Sequence, residues 1–149
     1  MFRGDESGIR VALAAREVDV LRSVPGLLRS VGDGDGDPAA GRLDYRAHPD
    51  DPDAERGYRD LVDGLIERER EEDRARFAAT LGATRLTVEE ADAWLRVIGE
   101  ARLVLAARLG IDDDGWGDSF SLDEPVEMSL LRLLGSYQDE LVEALLGLG

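Results

Sequence analysis

The sequence predicts a mainly α protein: a small bundle of about four helices with a short β-strand or hairpin at the N-terminus. Three observations carry this expectation. Apolar residues recur at helical spacing in four segments, near 15–31, 53–82, 87–109 and 125–148. Glycine and proline punctuate the gaps between them. Only Ile9-Arg10-Val11-Ala12-Leu13 alternates apolar with polar or small residues.

That first segment follows Gly4-Asp5-Glu6-Ser7-Gly8, with Phe2 beyond, so it reads as a strand or hairpin. Two strands alone are marginal in water, so the hairpin has to lean on helices. Next come Val18, Leu21, Val24, Leu28 and Val31. Pro25 removes a backbone donor and disfavours helix at Val24, which places a break there; Gly32 ends the segment.

Residues 32–52 read as a flexible acidic linker, with Leu43 and Tyr45 as its anchors. The linker ends in HPDDPDAE, where Asp51 or Asp53 caps a helix and Pro52 sits in its first turn. A long helix follows, about 53 to 82. Its early face is Tyr58, Leu61, Val62, Leu65 and Ile66, and its late face is Phe77, Ala78 and Leu81. Between them lies continuous charge, Glu67 to Arg74, with opposite charges spaced at Arg68/Glu72 and Glu72/Arg76. This uncovered middle is expected to bridge solvent or meet a partner.

Thr87-Val88-Glu89-Glu90 is a capping box opening a helix to about Leu109, which Gly110 stops. Its stripe is Val88, Ala91, Leu95, Ile98, Arg102, Leu105 and Leu109. DDDGWGDS is a second acidic loop, whose Trp116 either tucks back or anchors a partner. Pro125 starts the last helix, with Leu130, Leu134, Tyr137, Leu141, Leu145 and Leu148 on one face. Leu131, Val142 and Leu146 widen that face, so this helix is expected to be buried over much of its girth. No internal repeat is present.

The chain of 149 residues fits one domain, 1–149. Cysteine is absent, which excludes disulfides and thiolate metal sites. No apolar run suits a signal peptide or a membrane span, so a cytoplasmic protein is expected. The net charge is -15, and all basic residues are arginine. Such a surface repels nucleic acid and anionic membranes; it suits protein partners or simple solubility.

Asp33-x-Asp35-x-Asp37 imitates a calcium loop. The sixth and twelfth positions hold Pro38 and Asp44, where such a loop needs glycine and a bidentate acid, so a connector is expected. Glu69 and Glu72 on one helix, with Glu89 and Asp92 on the next, could hold Mg²⁺ against a diphosphate. All-α nucleotide pyrophosphohydrolases look like this, although Glu89 and Asp92 are also ordinary first-turn acids. His48 sits among acids, and no G-x-S-x-G, P-loop or dinucleotide fingerprint appears.

Two polar residues interrupt apolar stripes, Arg102 and Gln138. A buried guanidinium needs an acceptor, so Arg102 either meets Gln138 or a nearby acid such as Asp139 across two helices, or snorkels to the surface. Gly99 and Gly135 lie in helix interiors, where close helix approach would account for them.

At these residues the chain resembles the actinobacterial domain-of-unknown-function family numbered two thousand and seventeen. Three stretches carry the match. One is Tyr45-Arg46 through Asp50-Asp51-Pro52 to Tyr58-Arg59-x-Leu61. Another is Ala93-Trp94-Leu95-Arg96, continuing to Arg102-Leu103 and Arg108-Leu109-Gly110-Ile111. The third is Leu134-Gly135-x-x-Gln138-x-x-Leu141-Val142. With the N-terminal strand they span nearly the whole chain. The family tends to place Asn-Asp where Gly99, Glu100 and Ala101 stand here, and aromatic residues where Leu131 and Leu133 stand, so any site these build is altered in this chain.

The resemblance implies no established reaction. It implies genes lying beside one for ClpS, the adaptor that delivers substrates to Clp proteases, and hence a role near regulated proteolysis. The expected function is therefore non-catalytic protein interaction or regulation without a cofactor, with Clp machinery as partner. A Mg²⁺-dependent pyrophosphohydrolase is the rival. Homodimerisation through partly apolar helices is also expected. The candidate binding residues are a polar cluster of Arg102, Gln138, Glu100 and Trp94.

Overall fold

A computed structural model describes residues 1–31, 52–110 and 125–147. It is mainly α with an N-terminal antiparallel hairpin, as the sequence predicts. The acidic linker with Asp33, Asp35, Asp37, Leu43, Tyr45 and His48, the loop bearing Trp116, and Leu148 lie outside the described residues.

Strands β1 (Phe2–Asp5) and β2 (Gly8–Val11) pair with Phe2 opposite Val11 and Asp5 opposite Gly8. The turn at Glu6 and Ser7 is held by the Ser7 N–H, which donates to Asp5 Oδ1 at 2.8 Å. Gly8 follows at φ 129°, a conformation that joins an ordinary turn to right-twisted strands and that side chains resist. A β-carbon there would also stand 2.5 Å from the Leu86 carbonyl oxygen. That crowding marks β3 (Arg85–Leu86), which pairs antiparallel with β2 through Ile9–Leu86 and Arg10–Arg85. The sequence did not announce β3. It is two residues long, too short for any alternation to show.

The inner face of this three-stranded sheet carries Phe2, Ile9, Val11 and Leu86, all buried. Arg3, Arg10 and Arg85 alternate to the outside.

The helical break falls as expected: α1 (Ala15–Arg22) stops at Ser23, whose hydroxyl donates to the Val20 carbonyl at 2.6 Å. Helix α2 (Val24–Arg29) restarts with Pro25 in its first turn. Helix α3 (Pro52–Ala79) ends three residues short of the expected 82, where the Thr80 hydroxyl donates to the Arg76 carbonyl at 2.7 Å. At ~1.5 Å per residue α3 is about 42 Å long.

Helix α4 (Val88–Arg108) opens with the capping box; Glu90 N–H donates to Thr87 Oγ1 at 3.1 Å, and Thr87 N–H to Glu90 Oε1 at 2.8 Å. Gly110, at φ 71°, closes it in the left-handed conformation that favours glycine. Helix α5 (Val126–Leu146) follows Pro125.

The expectation that Val142 and Leu146 widen the buried face of the last helix is corrected. Val142 and Leu146 face solvent, and α5 buries one stripe: Leu131, Leu134, Tyr137, Leu141 and Ala144. The enclosed helix is α4, which touches α2, α3, α5 and the sheet. Ala93, Val97, Ala101, Val104, Ala106 and Ala107 are buried beside the predicted stripe, because small residues admit neighbours on several sides.

An aromatic cluster ties the sheet to the helices. Phe2 meets Trp94 and Tyr137 edge to face, at centroid distances of 5.9 and 5.7 Å. Trp94 also contacts Phe77 at 4.7 Å, and its indole N–H donates to Thr80 Oγ1 at 2.7 Å. Among the described residues, no helix is long and apolar enough to cross a membrane.

Candidate functional site

Helices α4 and α5 cross at two glycines. Gly99 and Arg102 lie about one turn apart on α4; Gly135 and Gln138 do the same on α5. The guanidinium of Arg102 rests over Gly135, where an added β-carbon would stand 3.3 Å from Nη2 and 3.4 Å from Cζ. Reciprocally, a β-carbon on Gly99 would stand 3.4 Å from Gln138 Nε2. Each glycine clears room for the polar side chain of the opposite helix. The two side chains then join: Arg102 Nη1 donates to Gln138 Oε1. Of the sequence's two readings of Arg102, cross-helix pairing is the one that forms; Asp139 faces solvent.

Above the pair is an open groove of about 510 Å³, lined by Gly99, Arg102, Leu103 and Gln138. Leu103 is 40% exposed, unusual for a leucine in the middle of a packed helix. The groove thus offers a cation, an amide and an aliphatic wall side by side. A carboxylate could take the guanidinium fork while a neighbouring apolar side chain covers Leu103.

The other candidate residues lie elsewhere. Trp94 is fully enclosed in the aromatic cluster. Glu100 is two residues from Arg102, about 200° around the helix, and faces α3. There it takes Arg70 Nε at 3.5 Å and Arg74 Nη2 at 3.4 Å. Burial pushes the Glu100 carboxyl up from its ordinary value, against the pull of Arg70 and Arg74.

The same interface holds Asp73, which receives a bidentate pair of hydrogen bonds from Arg96 at 2.8 and 3.0 Å. Asp73 and Arg74 are both buried, so one face of the charged middle of α3 packs on α4, while Glu67, Arg68, Glu69, Glu71 and Glu72 stay exposed. Neither Arg68 and Glu72 nor Glu72 and Arg76 pair along the helix; Arg74 reaches Glu71 at 3.1 Å instead. A signal for this existed. Arg70, Asp73, Arg74 and Phe77 continue one helical stripe in polar residues, and Phe77 is fully buried at its end.

The Mg²⁺ reading rests on Glu69, Glu72, Glu89 and Asp92. Glu69, Glu72 and Glu89 are exposed and Asp92 is half-buried. Among the described residues, no three acidic or histidine side chains gather where an ion could be held. The hydrogen bond to Asp73 raises the Arg96 guanidinium above its ordinary value, and the charges of Asp73, Asp92 and Glu69 add to this.

A further contact joins α1 to α5: the Tyr137 hydroxyl donates to Glu17 Oε2. That bond, followed by the Ala14 N–H at 3.0 Å, holds the Glu17 carboxyl below its ordinary range. Tyr137 is driven the other way, by burial and then by Glu17.

No curated protein and no solved structure matches this chain. One family model does, and it covers the hairpin, the crossing glycines, Arg102, Gln138 and nearly all of the last helix. That match, to the domain of unknown function DUF2017 over residues 1–145, means that the chain belongs to this family.

Proposed function

We propose that the protein is a non-catalytic, cytoplasmic interaction or regulatory protein acting near Clp-dependent proteolysis, and that it grips its partner at the Arg102 groove. The observation that carries this reading is the groove itself. A guanidinium held in place by Gln138 stands beside a half-exposed leucine, which is the chemistry of a peptide-binding surface. Its described lining, Gly99, Arg102, Leu103 and Gln138, supplies no nucleophile and no general base. The link to Clp machinery rests on the resemblance described above.

The test is direct binding of the purified protein to purified ClpS and to the Clp ATPase by biolayer interferometry. The expected result is saturable binding to one of them, weakened at least tenfold by Arg102→Ala and by Leu103→Glu. Binding to neither, or equal binding by the variants, defeats the proposal. A parallel thermal-shift assay with Mg²⁺ and nucleoside triphosphates separates the rival: stabilisation abolished by Glu72→Gln would assign a pyrophosphohydrolase instead.

A further inference from the structure

The outer face of the sheet carries a second, chemically different surface. Arg3 and Arg10 are directly opposite across β1 and β2, and Arg10 and Arg85 are directly opposite across β2 and β3. The three form one straight row with strand spacings of about 4.8 Å, so about 10 Å from end to end. All three are exposed. Like charges placed directly opposite work against sheet formation. The row is thus a feature the fold tolerates rather than one it needs.

The arginines at the helix interfaces are engaged. Arg70, Arg74 and Arg96 meet acids, and Arg102 meets Gln138. Arg3 and Arg10 differ, because their side chains make no ion pair or hydrogen bond among the described residues. Asp5 is already held by Arg85 at 2.6 Å, which fixes the end of the row and lowers the Asp5 carboxyl below its ordinary range. Glu6, in the turn, is the other acid of the hairpin. A locally basic face therefore sits on a molecule of net charge -15.

The geometry points to this arginine row as a docking site for an acidic segment of a partner protein, separate from the Arg102 groove. Acids three or four apart on a helix stand about 5–6 Å apart, close to the spacing of the row. Two such carboxylates meet Arg3 and Arg10, while Arg85 stays with Asp5 and closes that end of the row. The net negative charge of the chain opposes long phosphate polymers, which must pass the whole surface, more than a short acidic stretch that touches one face.

The probe is a fluorescein-labelled decaglutamate peptide, titrated with the full chain and read by fluorescence anisotropy. Saturable binding at low salt is expected, weakening several-fold as salt rises to physiological strength. Arg3→Gln with Arg10→Gln is expected to weaken it at least tenfold, and by more than Arg102→Ala does. A greater loss in Arg102→Ala than in the double variant would place the peptide in the groove and overturn the proposal. Both substituted residues are exposed, and circular dichroism confirms that the variant is folded. Absence of saturable binding, or equal affinity in the double variant, overturns the proposal. So does stronger binding of a labelled oligonucleotide of equal charge, which would make the row a phosphate site. Self-association lost in the double variant would also overturn it, in favour of a second copy.

Discussion

Arg102 lies across the backbone of Gly135, with its Nη2 3.3 Å from where a β-carbon there would be, and it donates to Gln138 three residues further along the same helix. The glycine and the arginine therefore form one packing unit. Replacing a helix-interior glycine by alanine ordinarily gains ~1 kcal/mol. Here the new methyl would press on the guanidinium. Gly135→Ala is expected to gain nothing in the wild type, and to gain ~0.5–1 kcal/mol in an Arg102→Ala background. Urea denaturation of the four proteins in this cycle measures the difference. Equal gains in both backgrounds would show that Arg102 is not seated on Gly135.

The indole of Trp94 depends on Thr80 for its acceptor. Thr80→Val keeps the shape and removes that acceptor, leaving a fully buried N–H unmet. A loss of about 1–3 kcal/mol is expected, with Thr80→Ser recovering most of it. Chemical denaturation measures this; a Thr80→Val protein as stable as the wild type would remove the bond from the account.

Gly8 is fixed twice, by its φ of 129° and by the 2.5 Å approach of the Leu86 carbonyl. Gly8→Ala is expected to cost about 1–3 kcal/mol for backbone conformation alone, and further for displacing β3. Gly26→Ala is the control, since nothing lies within 4 Å of its added β-carbon. It should be neutral or stabilising by ~1 kcal/mol. Melting temperatures of the two variants should therefore move in opposite directions or by very different amounts.

The Tyr137–Glu17 bond makes stability depend on pH at both ends. Glu17 is depressed in the folded protein, so its contribution is complete above its ordinary value of 4.5 and fades as pH falls below it. Tyr137 is raised, so its contribution is complete below its ordinary value of 10.0 and fades as pH rises above it. Tyr137→Phe should flatten both limbs of a plot of unfolding free energy against pH, and Glu17→Gln chiefly the acid one. An unchanged acid limb in Glu17→Gln would exclude the bond from the pH response.

Glu100 answers to two arginines at once. Glu100→Gln leaves Arg74, which is buried, with Glu71 at 3.1 Å and the more distant Glu67. A loss of about 1–3 kcal/mol is expected, because a charged group is left incompletely paired away from water. Substituting Glu72, which is exposed on the same helix, should leave stability within ~0.5 kcal/mol of the wild type.

Local chemistry made much of this fold legible. Thr87 and Glu90 announce the start of α4, Gly110 its end, and Pro25 the break between α1 and α2, because each acts within one turn of itself. Arg102 and Gln138 were legible as interruptions of apolar stripes, and the two glycines as positions with no propensity reason to exist. Long-range choices were not legible. Nothing near Arg85 says that it pairs with Arg10, and nothing near Glu17 says that Tyr137 will reach it. One face of the charged middle of α3, Arg70, Asp73 and Arg74, was not legible because residue type suggested water, whereas its spacing continues the stripe that ends at Phe77. Glu100, placed in one polar cluster with Arg102, lies two residues along the helix and so on nearly the opposite side.

The meeting of Phe2 with Tyr137 has a consequence for the order of assembly. The loop that this contact closes spans most of the chain, and its closure entropy must be met before the aromatic contacts return anything. The hairpin, too small to persist by itself, completes its packing only when α5 arrives. Refolding should therefore be slow for a helical protein of this size, and a fragment ending before residue 126 should leave its first strand unstructured.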